Sequence, residues 1–271
     1  MDLELTGKRA IVTGGNRGIG LAIARALAAE GVDLALVARD KAALEAARES
    51  VAAQSGPSAQ PGRKVITVAA DTGSEESVRQ MADTVAAELG GADILVNCAA
   101  RPNTGAAVGI DGFSEAEFSE QVNVKVLGYL RCIRAVVPHM RERGWGRIVN
   151  ISGLAARGTG SVTGTVRNVA VAAMTKNLAD ELGKDGINVT VVHPDMTVTE
   201  RMPGLVADLA AARGVPEAEI ERKMASGTSI GRLVTAEEVA SVVTFLASSK
   251  SVAINGDAIA VGGGAPGSIY Y

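Results

Sequence analysis

The stretch "VTGGNRGIG", Val12–Gly20, decides the fold of this chain. It follows the β-branched run "KRAIVT" and opens an Ala- and Ile-rich segment of helical period, so it marks a turn from a strand into a helix. Gly14, Gly18 and Gly20 give this turn a TGxxxGxG pattern. Such glycines let the backbone approach a pyrophosphate group, and the helix N-terminus faces its charge. The turn therefore predicts a dinucleotide site.

Short hydrophobic runs alternate with segments of helical period along the whole chain. Seven of these runs predict buried parallel strands. They are Lys8–Thr13, Val32–Ala38, Lys64–Ala70, Ala92–Ala99, Gly146–Ser152, Ile187–Pro194 and Asp257–Gly263. Helices are predicted over Ile19–Glu30, Asp40–Gln54 and Ser74–Leu89, with Ser74 as an N-cap. The alternation predicts one α/β domain over residues 1–271, a Rossmann-type doubly wound parallel sheet of about seven strands flanked by helices.

Composition and charge narrow the function classes. The chain has 271 residues, 47% of them hydrophobic, and a net charge of −3 without a block of like charge. Neither a nucleic-acid partner nor a membrane surface is expected, and no signal peptide or membrane-spanning run is evident. Cys98 and Cys132 form no CxxC motif and no metal-ligand cluster with His139 and His193. These features predict a cytoplasmic protein that acts on a small molecule and holds no metal.

Two segments read as loops. Gln54–Lys64 is rich in Pro, Gly and Ser and connects a helix to a strand. Met196–Thr228 is the longest irregular region, and it follows a late strand. In an open α/β sheet, such a segment can fold over the crevice at the carboxyl ends of the strands. We therefore predict a mobile lid around residues 196–228 over the substrate pocket.

Two arginines bear on the choice of cofactor. An acidic residue just after the second strand would bind both ribose hydroxyls of NAD(H) and repel a 2′-phosphate. Arg39 stands there instead, and Arg17 lies inside the glycine turn. Guanidinium groups form strong charge-assisted hydrogen bonds with phosphate. We predict that NADP(H) is preferred, with NAD(H) as the alternative cofactor.

Six ordered motifs carry a resemblance to a known family. They are Gly14–Gly20, Asn97–Ala100, Val122–Gly128, Gly146–Ser152, His193–Thr199 and Gly231–Ser248. Together they resemble the short-chain dehydrogenase/reductase family over nearly the whole chain. The resemblance implies a Rossmann-type domain that binds NAD(H) or NADP(H), acts on a carbonyl or alcohol, and forms a homodimer or homotetramer through its two long central helices.

The resemblance also implies which residues contact the cofactor. The pyrophosphate turn supplies one group, and Asp71 with Thr72 lies at the adenine. Pro194 and Thr199 lie at the nicotinamide carboxamide, and Asn168 can bond to a ribose hydroxyl. The full set is Gly14, Asn16, Arg17, Gly18, Ile19, Gly20, Arg39, Asp71, Thr72, Asn97, Ala99, Asn168, Pro194 and Thr199.

The family's proton-transfer residues match only in part. The family uses a tyrosine for proton transfer, a lysine four residues later that lowers the tyrosine pKa, a serine that orients the carbonyl, and an asparagine that holds a relay water. Asn123 matches the asparagine, and Ser152 or its neighbour Gly153 matches the serine. Gly164 and Asn168 fall at the tyrosine and lysine positions, and no tyrosine in the chain has a lysine four residues on. We predict a non-standard proton path through Asn123, Ser152 and water.

Other polar side chains receive structural interpretations. Lys125 is two residues from Asn123 and is expected on a different helix face. Arg167 is expected to be a surface or phosphate-facing charge, and Tyr129 to pack at a subunit interface. Cys98 and His193 are expected in the core.

Three function hypotheses stay open. The first is an NADP(H)-dependent oxidoreductase with this unusual proton path. The second is a nucleotide-binding pseudoenzyme or regulatory subunit, and the third is a lyase or isomerase that reuses the pocket. The intact turn favours the first two, and the missing tyrosine–lysine pair favours the second over the first. The general activity of the family places the oxidoreductase first.

Overall fold

The sheet is the centre of the fold. In the computed structural model, which describes residues 1–53, 62–101 and 109–266, seven parallel strands run in the order β3-β2-β1-β4-β5-β6-β9. The strands are β1 Arg9–Thr13, β2 Asp33–Ala38, β3 Val65–Ala69, β4 Ile94–Asn97, β5 Gly146–Ile151, β6 Ile187–Pro194, β7 Thr197–Val198, β8 Val234–Thr235 and β9 Ala258–Val261. Strands β7 and β8 form a separate two-stranded ladder. The predicted seven-stranded parallel sheet is confirmed.

Helices cover both faces of the sheet. They are α1 Gly18–Ala29, α2 Lys41–Ala52, α3 Glu75–Leu89, α4 Glu115–Val122, α5 Gly128–Arg143, α6 Val162–Leu182, α7 Met202–Arg213, α8 Glu217–Ala225 and α9 Ala236–Leu246. Alternate residues of a strand point to opposite faces. Ala10 and Val12 of β1 therefore pack in the core with α1, α2 and α9, whereas Ile11 packs in the core with α3, α5 and α6. The result is a three-layer α/β/α arrangement.

The predicted cap at Ser74 is confirmed, and the structure adds a second cap at Asp40. Ser74 caps α3, because its side chain accepts a hydrogen bond from the Ser77 N–H. Asp40 caps α2 in the same way through the Ala43 N–H. Each cap satisfies an N–H group that the first helical turn leaves without a partner. Most of the predicted Gln54–Lys64 loop, residues 54–61, lies outside the described residues.

The strand order reverses at β1, which sets the place of the site. Strand β1 pairs on one side with β2, through Thr13 and Val37, and on the other side with β4, through Thr13 and Asn97. The crossovers on the two sides of β1 run in opposite directions, so a crevice opens at the carboxyl ends of these strands.

The predicted lid segment is helical rather than irregular. Its Pro and Gly residues start and end α7 and α8: Pro203 lies in the first turn of α7, and Gly214, with a left-handed φ of 65°, ends that helix. Pro216 then precedes α8. The β7–β8 ladder joins the two ends of the segment through Thr197 and Val234. The expectation of irregular backbone was therefore wrong, because proline is tolerated in a first helical turn and glycine favours a helix end.

One turn of π-helix, Asn123–Leu127, separates α4 from α5. Such turns are rare and occur often at functional sites. Because the wider turn changes the angle between successive side chains, it alters which residues face the sheet. Among the helices of the described ranges, none is long and apolar enough to cross a membrane.

Candidate active site

A cavity of about 600 Å³ lies at the reversal of strand order. This volume is typical of small-molecule and cofactor sites. Most of the residues predicted to bind the cofactor line it. They are Gly14, Asn16, Arg17, Gly18, Ile19, Gly20, Arg39, Asp71, Thr72, Ala99 and Thr199.

The glycine turn is built so closely that side chains do not fit at two of its positions. Gly14 has a φ of +68°, and a Cβ there would lie 3.1 Å from the Cys98 carbonyl oxygen. A Cβ on Gly20 would lie 2.2 Å from the Gly14 carbonyl oxygen. Glycine is therefore required at Gly14 by conformation and at Gly20 by contact. The turn holds the start of α1 against the ends of β1 and β4.

The first amide of α1 already binds an anionic group. The Gly18 N–H donates a hydrogen bond to Oε2 of Glu200, at 3.2 Å, and α1 has no acidic residue in its first turn. A carboxylate oxygen here stands in for a phosphate oxygen, because both accept from the free N–H groups of a helix start. The turn therefore fits the pyrophosphate of a dinucleotide.

The charges at the far end of the cavity favour an anion as well. Arg17 and Arg39 are both exposed and both line the cavity. Asp40, which follows Arg39, uses its carboxylate to cap α2. On the opposite wall Asp71 is exposed, and its Oδ1 accepts from the Gly73 N–H at 2.9 Å. Arg39 thus lies directly after β2, and Arg17 lies in the turn before α1.

Asn97 lies outside the cavity lining. It is wholly buried, and its Nδ2 donates to Oδ1 of Asn150 across β4 and β5, at 3.0 Å. Its position as the last residue of β4 points the amide between strands. The structure therefore gives Asn97 a role in joining β4 to β5 and does not bring it to the cofactor cavity.

A second group of predicted residues meets at the end of β5. The Ser152 hydroxyl donates to the Asn168 carbonyl oxygen at 3.1 Å and lies 3.3 Å from Asn168 Oδ1. Gly153 lies beside both Asn168 and Pro194, because a Cβ on it would be 3.2 Å from Asn168 Nδ2 and 3.7 Å from the Pro194 carbonyl oxygen. Gly164 is buried one turn before Asn168 on α6 and adds no side chain. We call Ser152, Gly153, Asn168 and Pro194 the β5-end cluster.

Asn123 is not part of the β5-end cluster. Its Nδ2 donates to the Gly73 carbonyl oxygen at 3.2 Å, and its Oδ1 accepts from Nη2 of Arg131 at 2.8 Å. Both polar groups of the amide are thus used at the start of α3 and on α5. The expected partnership of Asn123 with Ser152 is absent from these contacts.

Lys125, rather than Asn123, contacts the β5-end cluster. Its side chain is only 4% exposed, and its Nζ donates to the Ser152 carbonyl oxygen at 2.9 Å. Lys125 and Asn123 face different ways, as the sequence interpretation expects, and of the two it is Lys125 that contacts the cluster. The signal that could have found Lys125 is a single cation within the otherwise apolar run "VKVLGYL".

Two further interpretations are corrected. Arg167 is buried rather than on the surface, and its Nη1 donates to the Arg101 carbonyl oxygen and to Oε1 of Gln121. Tyr129 is wholly buried inside the chain, and its hydroxyl donates to the Ile151 carbonyl oxygen at 2.9 Å. A side chain without exposed surface cannot contact a second subunit. Tyr129 thus packs against β5, and Arg167 packs against α4 and the segment after β4.

His193 and Cys98 lie in or against the core, as the sequence interpretation expects. His193 is buried, and its Nδ1 accepts a hydrogen bond from the Gly153 N–H at 3.4 Å. Cys98 packs against the core but also lines the cavity. Burial, together with the charges of Arg157 and Lys125, lowers the pKa of His193 to about 4. His193 is therefore a neutral, positioning neighbour of the cluster at physiological pH.

The electrostatics of the cluster are dominated by buried cations. Burial first, and then the nearby charge of Arg167, lowers the pKa of Lys125 to about 7. Burial also lowers the pKa of Arg167. Within the described residues, no carboxylate forms an ion pair with either side chain, and no group of three His, Cys, Asp or Glu side chains is placed to hold a metal.

Comparisons with known proteins now decide the family. Residues 14–266 match the family model described as Enoyl-(Acyl carrier protein) reductase. The chain is 34% identical to the short-chain reductase protein NovJ of Streptomyces niveus over 260 residues, which are 95% of this chain and 93% of NovJ. The chain belongs to the short-chain dehydrogenase/reductase family. Its predicted fold and general activity, an NAD(P)-dependent oxidoreductase of carbonyl or alcohol substrates, are confirmed.

Other members of the short-chain dehydrogenase/reductase family are similar along their whole length. The probable galactose dehydrogenase GalD of Rhizobium meliloti (strain 1021) is 32% identical over 263 residues, 96% of each chain. The crystal structure of L-sorbose reductase from Gluconobacter frateurii, complexed with NADPH and L-sorbose, has a TM-score of 0.90 and 31% identity, and the alignment covers 99% of this chain and 100% of that one.

Proposed function

We propose that this member of the family is an NADP(H)-dependent oxidoreductase that reduces the carbonyl, or oxidises the alcohol, of a small molecule. One observation carries the cofactor choice: Arg17 and Arg39 are exposed on the cavity wall, and the neighbouring Asp40 is used as a helix cap. Arg39 directly follows β2, at the position where an acidic residue would bind both ribose hydroxyls of NAD(H). The NADPH in the L-sorbose reductase complex supports the same choice.

In this proposal the residues of the cavity hold the cofactor by its phosphates. The Gly18 amide, now bonded to Glu200, binds the pyrophosphate, and the two guanidinium groups bind the 2′-phosphate. The carboxylate of Glu200 leaves Gly18 when the phosphate arrives. The nicotinamide end is oriented by Thr199 at the rim and by Pro194 and Asn168 in the β5-end cluster. When bound, the cofactor would supply a hydride there.

The proton path is unlike that of the family pattern. Gly164 and Asn168 stand at the positions of the tyrosine and lysine, and neither side chain is an acid near neutral pH. Ser152 keeps its hydroxyl beside Asn168 and is suited to orient a carbonyl oxygen. We keep Ser152 as a catalytic residue and assign Asn123 to positioning α3 and α5 through Gly73 and Arg131.

The helices α7 and α8 act as the lid in this proposal. Their own small core of Val206, Ala210 and Ile220 lets them move as one unit. The β7–β8 ladder holds both ends of the unit, and Thr199, Glu200 and Arg201 between them line the cavity. A unit of this kind can close over a substrate without unfolding.

A homo-oligomer remains part of the proposal. Val162, Val166 and Val169 form an exposed apolar stripe on α6. A groove of about 520 Å³ runs between α5 and α6 and is lined by Leu130, Val137 and other apolar side chains. Exposed apolar surfaces of this kind mark interfaces. Light scattering after size exclusion is expected to give the mass of a dimer or tetramer, and a monomer would contradict this point.

A second candidate function is a nucleotide-binding pseudoenzyme or regulatory subunit. The same substitutions, Gly164 and Asn168, favour it, because they remove the phenol and amine of the family pattern while the cofactor turn stays intact. Fluorescence titration with NADPH and NADH, followed by assays with a panel of ketones, aldehydes and α-dicarbonyls, separates the two. Tighter NADPH binding with turnover supports the oxidoreductase. Tight binding without turnover at high enzyme concentration supports the pseudoenzyme.

A further inference from the structure

One buried cation has no role in the cofactor cavity. Lys125 is 4% exposed, and its only hydrogen bond among the described residues goes to one neutral acceptor, the Ser152 carbonyl oxygen. An ammonium group has three donors. No aspartate or glutamate forms an ion pair with it in the described ranges, and residues 54–61, 102–108 and 267–271 contain neither acid.

Such a burial needs a reason. Moving an ammonium group out of water is costly unless a carboxylate and further hydrogen bonds compensate, and here a second cation, Arg167, lies near enough to repel it. Replacing a buried, unpaired charge by an apolar residue is often stabilising. A lysine in this setting is therefore a candidate for a functional group rather than a structural one.

Lys125 lies against the β5-end cluster, next to the main chain of Ser152. Its Nζ bonds to Ser152, whose hydroxyl bonds to Asn168. Lys125 and the Cys98 thiol, which lines the cavity, are close enough to influence each other's pKa. The π-helical turn Asn123–Leu127 brings the side chain to this place from the end of α4. An amine thus stands beside the residues that match the family's serine and lysine, where Gly164 leaves no phenol.

The titratable and charged groups that influence Lys125 come from several elements. They are Cys98 after β4, Arg167 on α6 and His193 on β6. Burial and the charge of Arg167 lower the pKa of Lys125 to about 7. A group that is half protonated near neutral pH is well suited to both acid and base catalysis.

We propose that Lys125 is the proton donor and acceptor of this active site and replaces the missing tyrosine. The inference rests on the proposed oxidoreductase function. In reduction, the carbonyl carbon accepts a hydride from a bound reduced nicotinamide dinucleotide, the π electrons of the C=O bond move to oxygen, and the oxygen takes a proton from Nζ directly or through one water. Lys125 becomes a neutral amine and regains a proton from solvent. The sum is carbonyl, NADPH and a proton to alcohol and NADP⁺, and oxidation is the reverse.

Two variants and a control separate this role from a structural or fixed-charge role. Lys125→Met removes the amine, and Lys125→Arg keeps a positive charge that does not deprotonate at neutral pH. Lys184→Met changes an exposed lysine and is the matched control. Lys125→Gln keeps a donor for the Ser152 carbonyl and replaces Lys125→Met if that variant does not fold.

The first measurement does not depend on turnover. NMR of ¹³Cε-labelled lysines is followed against pH in the cofactor-free protein and with NADPH. One lysine is expected to titrate near pH 7, to be absent from Lys125→Met and to be present in Lys184→Met. If every lysine titrates near 10, the assignment is overturned.

The second measurement is the reduction of 2,3-butanedione by NADPH, together with NADPH binding by fluorescence. Lys125→Met and Lys125→Arg are expected to lower kcat by on the order of 10²–10⁴ with NADPH affinity unchanged. The wild-type kcat/KM for reduction is expected to fall as the pH rises through about 7, because the ammonium form is the acid. Full activity in Lys125→Arg, or in Lys125→Met, overturns the role of Lys125 and leaves the oxidoreductase function standing. Wild-type protein that binds NADPH but reduces no carbonyl overturns the proposed function and this assignment together.

Discussion

The glycine turn and the β5-end cluster lie at the same edge of the sheet, but the local sequence predicts the turn better than it predicts the cluster. The turn is built from backbone, so a short motif is enough to define it, and a Cβ at Gly20 would collide with the Gly14 carbonyl at 2.2 Å. The cluster is built from residues just after β5, at the end of β6 and on α6, which are far apart in sequence. Backbone sites follow from local sequence, whereas side-chain sites depend on which face each element presents.

The largest expected effect concerns the glycine turn, which is built from backbone. Gly20→Ala places a Cβ 2.2 Å from the Gly14 carbonyl oxygen, so the backbone of the turn must shift. Overpacking costs about 1–3 kcal/mol in stability. If the shifted turn loses about the same amount of binding free energy, NADPH affinity falls by about 5- to 150-fold. NADPH titration of Gly20→Ala should show this loss. Gly158→Ala, where no atom lies within 4 Å of the added Cβ, should bind like the wild type.

The next effect concerns the side chains that select the cofactor. Arg39→Ala should weaken NADPH binding by about 10- to 100-fold, because a charge-assisted hydrogen bond contributes about 1.5–3 kcal/mol, and should leave NADH binding nearly unchanged. Arg48→Ala, on the exposed side of α2 beside Glu45, is the matched control. Equal losses for both cofactors would place Arg39 away from the 2′-phosphate.

The third prediction tests the unpaired charge in the cluster through stability. Lys125→Met should be more stable than wild type at pH 6–7 by on the order of 1 kcal/mol, about 2–4 °C in Tm. Burial lowers the pKa of Lys125 from 10.5 to about 7, so below pH 7 both folded and unfolded chains hold the proton and the full cost of the buried charge is present. Between pH 7 and 10.5 the unfolded chain binds more protons, so the stability of the wild type rises relative to the variant. Scanning calorimetry from pH 6 to 10 measures the difference in stability between Lys125→Met and the wild type. This difference should shrink as the pH rises, and a difference that grows would contradict the prediction.

The smallest expected effect is on NADPH affinity and concerns Glu200, which contacts the glycine turn. Glu200 holds a carboxylate on the Gly18 amide, where the pyrophosphate is expected. Glu200→Gln should improve NADPH affinity by about two- to fivefold, since a charge at a helix end contributes about 0.3–1 kcal/mol. Glu219→Gln, exposed on α8, should change nothing. Weaker binding in Glu200→Gln would mean that the carboxylate helps to bind the cofactor.

The comparison also shows what the sequence could predict. The parallel sheet, the glycine turn and the cap at Ser74 follow from local patterns, and the structure has them. The separation of Lys125 from Asn123 follows from their spacing, but the contact of Lys125 with Ser152 does not, because it depends on the π-helical turn Asn123–Leu127. Arg167 and Tyr129 were placed outside because helical period alone does not say which face of α5 or α6 meets the sheet.

The most direct test of the account is calorimetric titration of the wild-type protein with NADPH and with NADH. The account predicts binding of both at one site per chain, with NADPH tighter by at least about tenfold, because the 2′-phosphate meets Arg17 and Arg39. No heat and no rise in Tm with either cofactor would contradict it.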